Sequence, residues 1–234
     1  MPNHITNRLN VEGKKEDIDK LFDFIKSDVN DEDGKFVLID FNKIIPMPDS
    51  LDIPSSTEGE DGQKYLLGHS GNLFQIGAYK KSEHYKKMEA LRTQNPKDFD
   101  RCIELGKQFL HNIANYGHTD WYSWRIANWG TKWNAYEIVK DGDNTIFFQT
   151  AWNGVPKLIR KLASMFPDVT IKYDFADEDA GYNVGSFIMK GYEVENNSPA
   201  DDSAEAWSLV FDLDVASRED YIEQPDGSFR YKED

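Results

Sequence analysis

Two short segments carry side chains whose types and spacing could do chemistry. The first holds Asp174, Asp177, Glu178 and Asp179, followed at once by Tyr182 and Asn183. Clustered carboxylate and amide oxygens are the ligands that Mg2+ and Ca2+ prefer. The spacing fits no EF-hand loop, however, and a strand that ends in acids before a glycine is also an ordinary solvated turn. The second segment runs Asn128, Trp129, Gly130, Thr131, Lys132, Trp133, Asn134. As a binding device, Trp129 and Trp133 would stack a base or sugar ring while Asn128, Lys132 and Asn134 supply hydrogen bonds. As structure, Gly130 permits a tight turn, the indoles pack into a sheet edge, and the asparagines satisfy turn backbone groups. Trp152 joins this group, because Trp121, Trp124, Trp129, Trp133 and Trp152 all fall between residues 121 and 152. Indoles are costly to leave in water and demanding to bury, so the concentration marks a core, a contact surface or both.

The remaining nucleophiles and bases form no recognisable set. His4, His69, His84, His111 and His118 include no HExxH and no pair at i, i+4 spacing. Gly68-His69-Ser70-Gly71 lacks the Gly-Lys-Ser/Thr that completes a phosphate loop, and no GxSxG elbow is present. Cys102 lies on the apolar stripe of a helix and reads as a core thiol. A lone cysteine also excludes an intramolecular disulfide and any cysteine-based zinc cluster, and it fits a reducing compartment. No catalytic residue, metal or cofactor is assigned.

Charge narrows the partners. The formal net charge is −15, and residues 174–234 hold 17 acids against 4 bases, a net of −13. Nucleic-acid affinity comes largely from Lys and Arg neutralising phosphates, so direct nucleic-acid binding is disfavoured. An acidic segment of this kind is either a solvated face or a docking surface for a basic protein. No run of about 18 apolar residues exists, and MPNHITNRLN has neither a basic start nor an apolar core, so neither a membrane span nor a signal peptide is expected. The expected location is the cytoplasm.

The elements that must position these groups follow from periodicity. Ile5, Asn7, Leu9 and Val11 alternate with polar neighbours as a half-buried strand, and Gly13 ends it. Ile18, Leu21, Phe22 and Ile25 predict an amphipathic helix over 14–27. Phe36 to Ile45 reads as a second strand, stopped by Pro46 and Pro48. Asp49 to Gln63 reads as an exposed loop, Ser82–Thr93 and Pro96–Tyr116 as helices. In the second of these, Asn95 is the cap, Pro96 opens the first turn, Gly117 lies past the end, and Gly106 sits where another backbone could approach. Asn144–Trp152 reads as a central strand, Asn153-Gly154 as a turn, Val155–Phe166 as a helix, and Val169 to Phe175 as a strand. Val184–Val194 is expected to be a strand, Ala206–Leu213 a further apolar alternation, and 217–234 a terminal hairpin. Two βαβ-like blocks, 4–46 and 144–176, predict an α+β fold of ferredoxin-like (split βαβ) type: an antiparallel sheet with helices on one face. The domain plan is a single unit over 1–214 with a helical insertion at about 80–127, then an acidic hairpin or tail over 215–234.

The words MPNHITNRLNVEG, IDFNKIIPMP, NWGTKWNAYE, TAWNGVPKLIRKLA and MFPDVTIKYDFADEDAGYNVG, in that order, resemble the YubB-like proteins of bacterial plasmids and phages. The resemblance runs from the N-terminus to about Phe211 and implies a ferredoxin-like domain and a mobile-element source. It carries over no catalytic residues. The reading is therefore a non-catalytic interaction protein whose partner has a basic surface, with a DNA-mimic, anti-defence role as its extension. A small-molecule or nucleotide-handling enzyme using Trp129/Trp133 and Asp174–Asp179 is the second reading, and an accessory structural protein the third. The oligomeric state is not legible.

Overall fold

A computed structural model describes residues 3–29 and 37–232. In chain order the elements begin β1 (His4–Glu12), α1 (Lys15–Ile25), α2 (Phe41–Ile44), α3 (Thr57–Gly68), α4 (Leu73–Tyr79), α5 (Glu83–Gln94), α6 (Pro96–Tyr116) and α7 (Trp121–Asn128). They continue β2 (Tyr136–Asp141), β3 (Thr145–Ala151), α8 (Pro156–Met165), β4 (Thr170–Asp177), β5 (Gly185–Lys190), β6 (Glu193–Asn196), α9 (Ala204–Asp212), β7 (Tyr221–Glu223) and β8 (Phe229–Tyr231). The chain divides into two compact units, one of residues 1–46 with 125–234, the other of residues 47–124.

The first unit is built on a six-stranded sheet of order β2-β3-β1-β4-β5-β6, antiparallel throughout. β1 lies between β3 and β4, and β3 lies between β2 and β1, so β1-α1-β2 and β3-α8-β4 are two interlocked split βαβ units. That is the ferredoxin-like plan. One expectation is corrected: the return strand of the first unit is β2, not 36–45. Phe36 lies outside the described residues, and 41–44 form the short helix α2, with the Asp40 carboxylate accepting from the Asn42 amide as its cap. A short apolar run suits a buried helix as well as a strand, and here Phe41 and Ile44 are both buried.

The pleat decides which residues meet the helices. Ile5, Asn7, Leu9 and Val11 share a face with Thr150, Phe148 and Ile146 of β3 and with Asp177, Phe175, Tyr173 and Ile171 of β4. α8, opened by Pro156, buries Leu158, Ile159 and Leu162 and lies against β4 and β5. Asn7 sits fully buried in this core and is satisfied there. Its amide nitrogen donates to the Ile5 and Phe148 carbonyls and to Thr150 Oγ1, and its Oδ1 accepts from the Tyr173 hydroxyl at 2.6 Å. That hydroxyl in turn accepts from the Val155 amide at the start of α8, also at 2.6 Å. Burial raises the Tyr173 phenol far above its ordinary value, so it stays a donor. Tyr173→Phe leaves the Val155 amide and Asn7 Oδ1 unpaired, each worth about 1–3 kcal/mol when buried. We expect a loss of about 2 kcal/mol in denaturant unfolding; a change under about 0.5 kcal/mol would contradict the network.

On the opposite face Arg8 stands between Phe147 and Asp174. Its guanidinium pairs with Asp174 at 2.8 Å and with Asp212 of α9 at 2.6 Å. A second small core forms here from Ala176, Val184, Ala206, Trp207, Val210 and Leu213, with Phe147, Tyr221 and Phe229 packed around it. The 206–213 segment is thus helix, not an alternating strand: Ala206, Trp207, Val210 and Leu213 follow helical spacing, and the Ser203 hydroxyl caps the Ala206 amide. The 184–194 stretch is a hairpin of two strands, β5 and β6, and the chain's last described strands, β7 and β8, pair as another.

The second unit is helical. Residues 49–63, expected as a loop, hold a 3-10 turn at Asp49–Leu51 and the start of α3, capped by the Ser56 hydroxyl. Richness in Ser, Pro, Gly and acids reads as a loop, but Gly62 instead lets α3 meet α6. A Cβ on Gly62 would stand 1.7 Å from the Cys102 carbonyl oxygen, and one on Gly106 2.3 Å from the Gly62 carbonyl carbon. Cys102 is buried, which pushes its thiol up and away from nucleophilic use.

Tyr65, His69, Tyr79 and Tyr85 cluster with all ring centroids within 6.4 Å of one another. Tyr65 donates to Glu89 at 2.6 Å, and Tyr79 meets His84 Nδ1, whose other nitrogen meets Asp61. Burial, aided by neighbouring acids, pushes the Tyr65 and Tyr79 phenols up to about 12. A raised folded-state value favours the neutral phenol, so this contribution is complete below the ordinary value near 10. It is lost as pH climbs from there toward 12. In an alkaline titration the helical unit should lose stability within that window while two of the eleven phenols ionise later than the rest; Tyr65→Phe and Tyr79→Phe variants whose phenolate curves lose only ordinary phenols, with midpoints near about 10, would contradict it.

Candidate functional site

The residues singled out in the sequence separate into three groups. Trp129 is structural: it is fully buried, its indole N–H donates to the Ile45 carbonyl at 2.9 Å, and Phe41 meets it edge-on at 5.7 Å. Asn134 is structural too, its oxygen accepting from the Phe41 and Ala135 amides and its nitrogen donating to Asp40. Asn128 ends α7 and is half-buried. Asp174 is taken up by Arg8.

A second group gathers at the end of the sheet where β3 and β4 finish. The Lys132 ammonium lies 4.9 Å from the Trp133 ring and 5.5 Å from the Trp152 ring, a cation held between two indoles. Trp133 also meets Tyr136 edge-on, and the Tyr136 hydroxyl lies 2.7 Å from His4 Nδ1. Trp152 has φ +73° and Asn183 φ +47°, a left-handed conformation that costs an L-residue about 1–2 kcal/mol. Asn183 ties the two strained positions together, donating to the Trp152 carbonyl at 3.1 Å and to Asp177 Oδ2 at 2.8 Å. The other Asp177 oxygen accepts from Asn3 Nδ2 and from the Asp179 amide. The two sequence segments therefore do converge, but through Lys132, Trp152, Asn183 and Asp177 rather than through Trp129. Asp177 is buried and serves to pin the 177–183 turn.

The third group lies beyond that turn. Glu178, Asp179 and Tyr182 line a hollow of about 500 Å3 together with Asp202, Trp207, Tyr221, Asp226, Phe229 and Arg230. Glu178 and Asp179 are exposed; Asp202 accepts from the Trp207 indole at 2.7 Å. Hydrogen bonds from the Ser228 hydroxyl and amide, with Arg230 nearby, hold the Asp226 carboxyl below its usual range, so it is charged at neutral pH. Sequence reasoning missed Asp202, Asp226 and Trp207, although the sixth tryptophan and the Asp226-Gly227 turn were visible signals. Their convergence depends on α9 and the terminal hairpin, which no local pattern places. Among the described residues no group of three or more His, Cys, Asp or Glu side chains is arranged to hold a metal ion, and no helix is long and apolar enough to cross a membrane.

Sheet order, interlocked βαβ units and helices define an α+β protein with a ferredoxin-like domain. The comparisons agree: residues 128–217 match the family model described as the ferredoxin-like domain in Api92-like protein. That span starts ahead of β2, and β1 with α1 completes the plan from outside it. A solved structure, a protein api92 from Yersinia pseudotuberculosis, is similar at 8% identity and a TM-score of 0.39, covering 86% of this chain and 99% of that one. At that score the fold assignment rests on the sheet and the family match. No curated protein matches. The YubB-like likeness, and the plasmid or phage source it implies, rest on the sequence resemblance alone.

Proposed function

We propose that this is a non-catalytic interaction protein that binds, in the bacterial cytoplasm, a protein partner with a basic surface. The hollow lined by Glu178, Asp179, Asp202 and Asp226 receives that partner's lysine or arginine side chains. The observation that supports this is that four carboxylate residues line one hollow together with the aromatic residues Tyr182, Tyr221 and Phe229. Carboxylates satisfy a cation's hydrogen bonds, and ring faces attract it. Arg230 lines the same hollow. If the partner is one that grips DNA, the acidic 174–234 region stands in for phosphates, an anti-defence role of the kind a mobile element would carry.

The test is affinity capture from bacterial lysate, eluted across a salt series. Charge-driven capture should fall steeply as salt rises, and Glu178→Lys with Asp179→Lys should lower it by about tenfold or more while leaving thermal unfolding unchanged, since both side chains are exposed. No captured protein at any salt concentration would sink the proposal, and capture indifferent to salt would sink the mimic version. A second reading, a small-molecule or nucleotide-handling enzyme, has one observation in its favour: the continuous path Trp133, Lys132, Trp152, Asn183, Asp177. Tryptophan fluorescence that stays flat through a nucleotide screen would remove it.

A further inference from the structure

We propose that the helical unit docks on a second copy of this chain, a basic apolar face on α3 and α4 receiving the acidic apolar edge formed by β6. This goes beyond the interaction proposed above and uses none of the residues that line the hollow. α4 buries none of its residues; Leu73 is 89% and Phe74 86% exposed, and Leu67 at the end of α3 is 51% exposed. Isolated exposed apolar side chains are ordinary, but three large ones within eight residues make a patch of the sort that marks a contact.

The charge around the patch says what would cover it. Residues 62–82 contain no Asp or Glu, yet carry Lys64, Lys80 and Lys81, a basic island in a chain of net charge −15. Lys64 precedes Leu67 by one turn of α3, and Lys80, which caps the end of α4 in a helical conformation, follows Leu73 by about two turns, so each lies on the same side of its helix as its apolar neighbour. The occupant must bring carboxylates interleaved with apolar side chains. β6 is the sheet's edge strand and is exposed at all four residues. Glu193 and Glu195 alternate there with Val194, and Tyr192, just before it, is 82% exposed. An edge strand also presents unpaired backbone groups. Charge complementarity of this kind fixes register and speeds encounter, while the buried apolar centre supplies affinity.

The two faces differ, so the contact is head-to-tail, and this makes it testable with the full chain. Sedimentation velocity should show association that grows with concentration and weakens at high salt. Leu73→Asp with Phe74→Asp, and separately Glu193→Lys with Glu195→Lys, should each weaken self-association by about tenfold or more while keeping the wild-type circular dichroism. Mixed in equal amounts, the two variants should form a pair that stops at two, because each retains the face the other lost. A wild-type chain that stays monomeric at every concentration and salt overturns the proposal, as does association that either variant leaves intact, or a mixture that does not pair. Capture of a basic partner through Glu178 and Asp179 is read separately and stands or falls without it.

Discussion

Replacing Trp129 by alanine should cost about 3–5 kcal/mol of unfolding free energy and leave partner capture per folded molecule unchanged. The indole is fully buried, so truncation removes the side chain's apolar burial and leaves a cavity against Phe41. It also strips the Ile45 carbonyl of its indole donor. The Arg125 guanidinium, 4.9 Å from the ring centroid, loses the ring face it lies over as well. A lowered denaturant midpoint with an unaltered slope would fit this account. Loss of capture with stability kept within about 0.5 kcal/mol would reverse it and make Trp129 a binding residue. Trp133 is the useful contrast: it is 36% exposed and sandwiches Lys132, so Trp133→Ala should be mild in stability.

These two tryptophans also mark how far the sequence could be read. Local periodicity was sufficient where each element's pattern is set by its own neighbours: β1, α1, α6 and the β3-α8-β4 block all follow their apolar spacing. It failed where tertiary pairing decides. The return strand of the first βαβ lies beyond the helical unit, a separation no window can span, and the short run ending at Ile45 was available to take its place. α9 read as alternation because Trp207, Leu209, Phe211 and Leu213 are all apolar; the Ser203 cap was the signal that should have outweighed it. Within Asn128–Asn134 the residue types suggested two indoles acting together, but Gly130, at φ +86°, turns the chain so that Trp129 enters the core while Trp133 stays at the surface. The carboxylate run divides in a similar way: strand parity sends Asp174 to Arg8 and Asp177 to the opposite face, and only Glu178 and Asp179, past the strand end, are left in water.

Gly106→Ala should destabilise the helical unit by about 3 kcal/mol, although alanine is the better helix former by about 1 kcal/mol. The added Cβ would stand 2.3 Å from the Gly62 carbonyl carbon and 2.4 Å from the Gln63 nitrogen. Both are backbone atoms, so α3 and α6 must move apart rather than a side chain turn aside, and overpacking of this kind ordinarily costs about 1–3 kcal/mol or more. Separation also opens the interface around Cys102, whose carbonyl oxygen is what a Cβ on Gly62 would strike. Gly77 provides the opposite sign within the same unit. It lies in the interior of α4, where a Cβ meets nothing within 4 Å, so Gly77→Ala should gain about 0.5–1 kcal/mol from the backbone alone. Because two units need not unfold together, the comparison belongs to amide hydrogen exchange in α3 and α6 for Gly106 and in α4 for Gly77. Faster exchange in the first case and slower in the second is the expected pair of outcomes; protection retained in α3 and α6 would mean that the helices do not meet through their glycines.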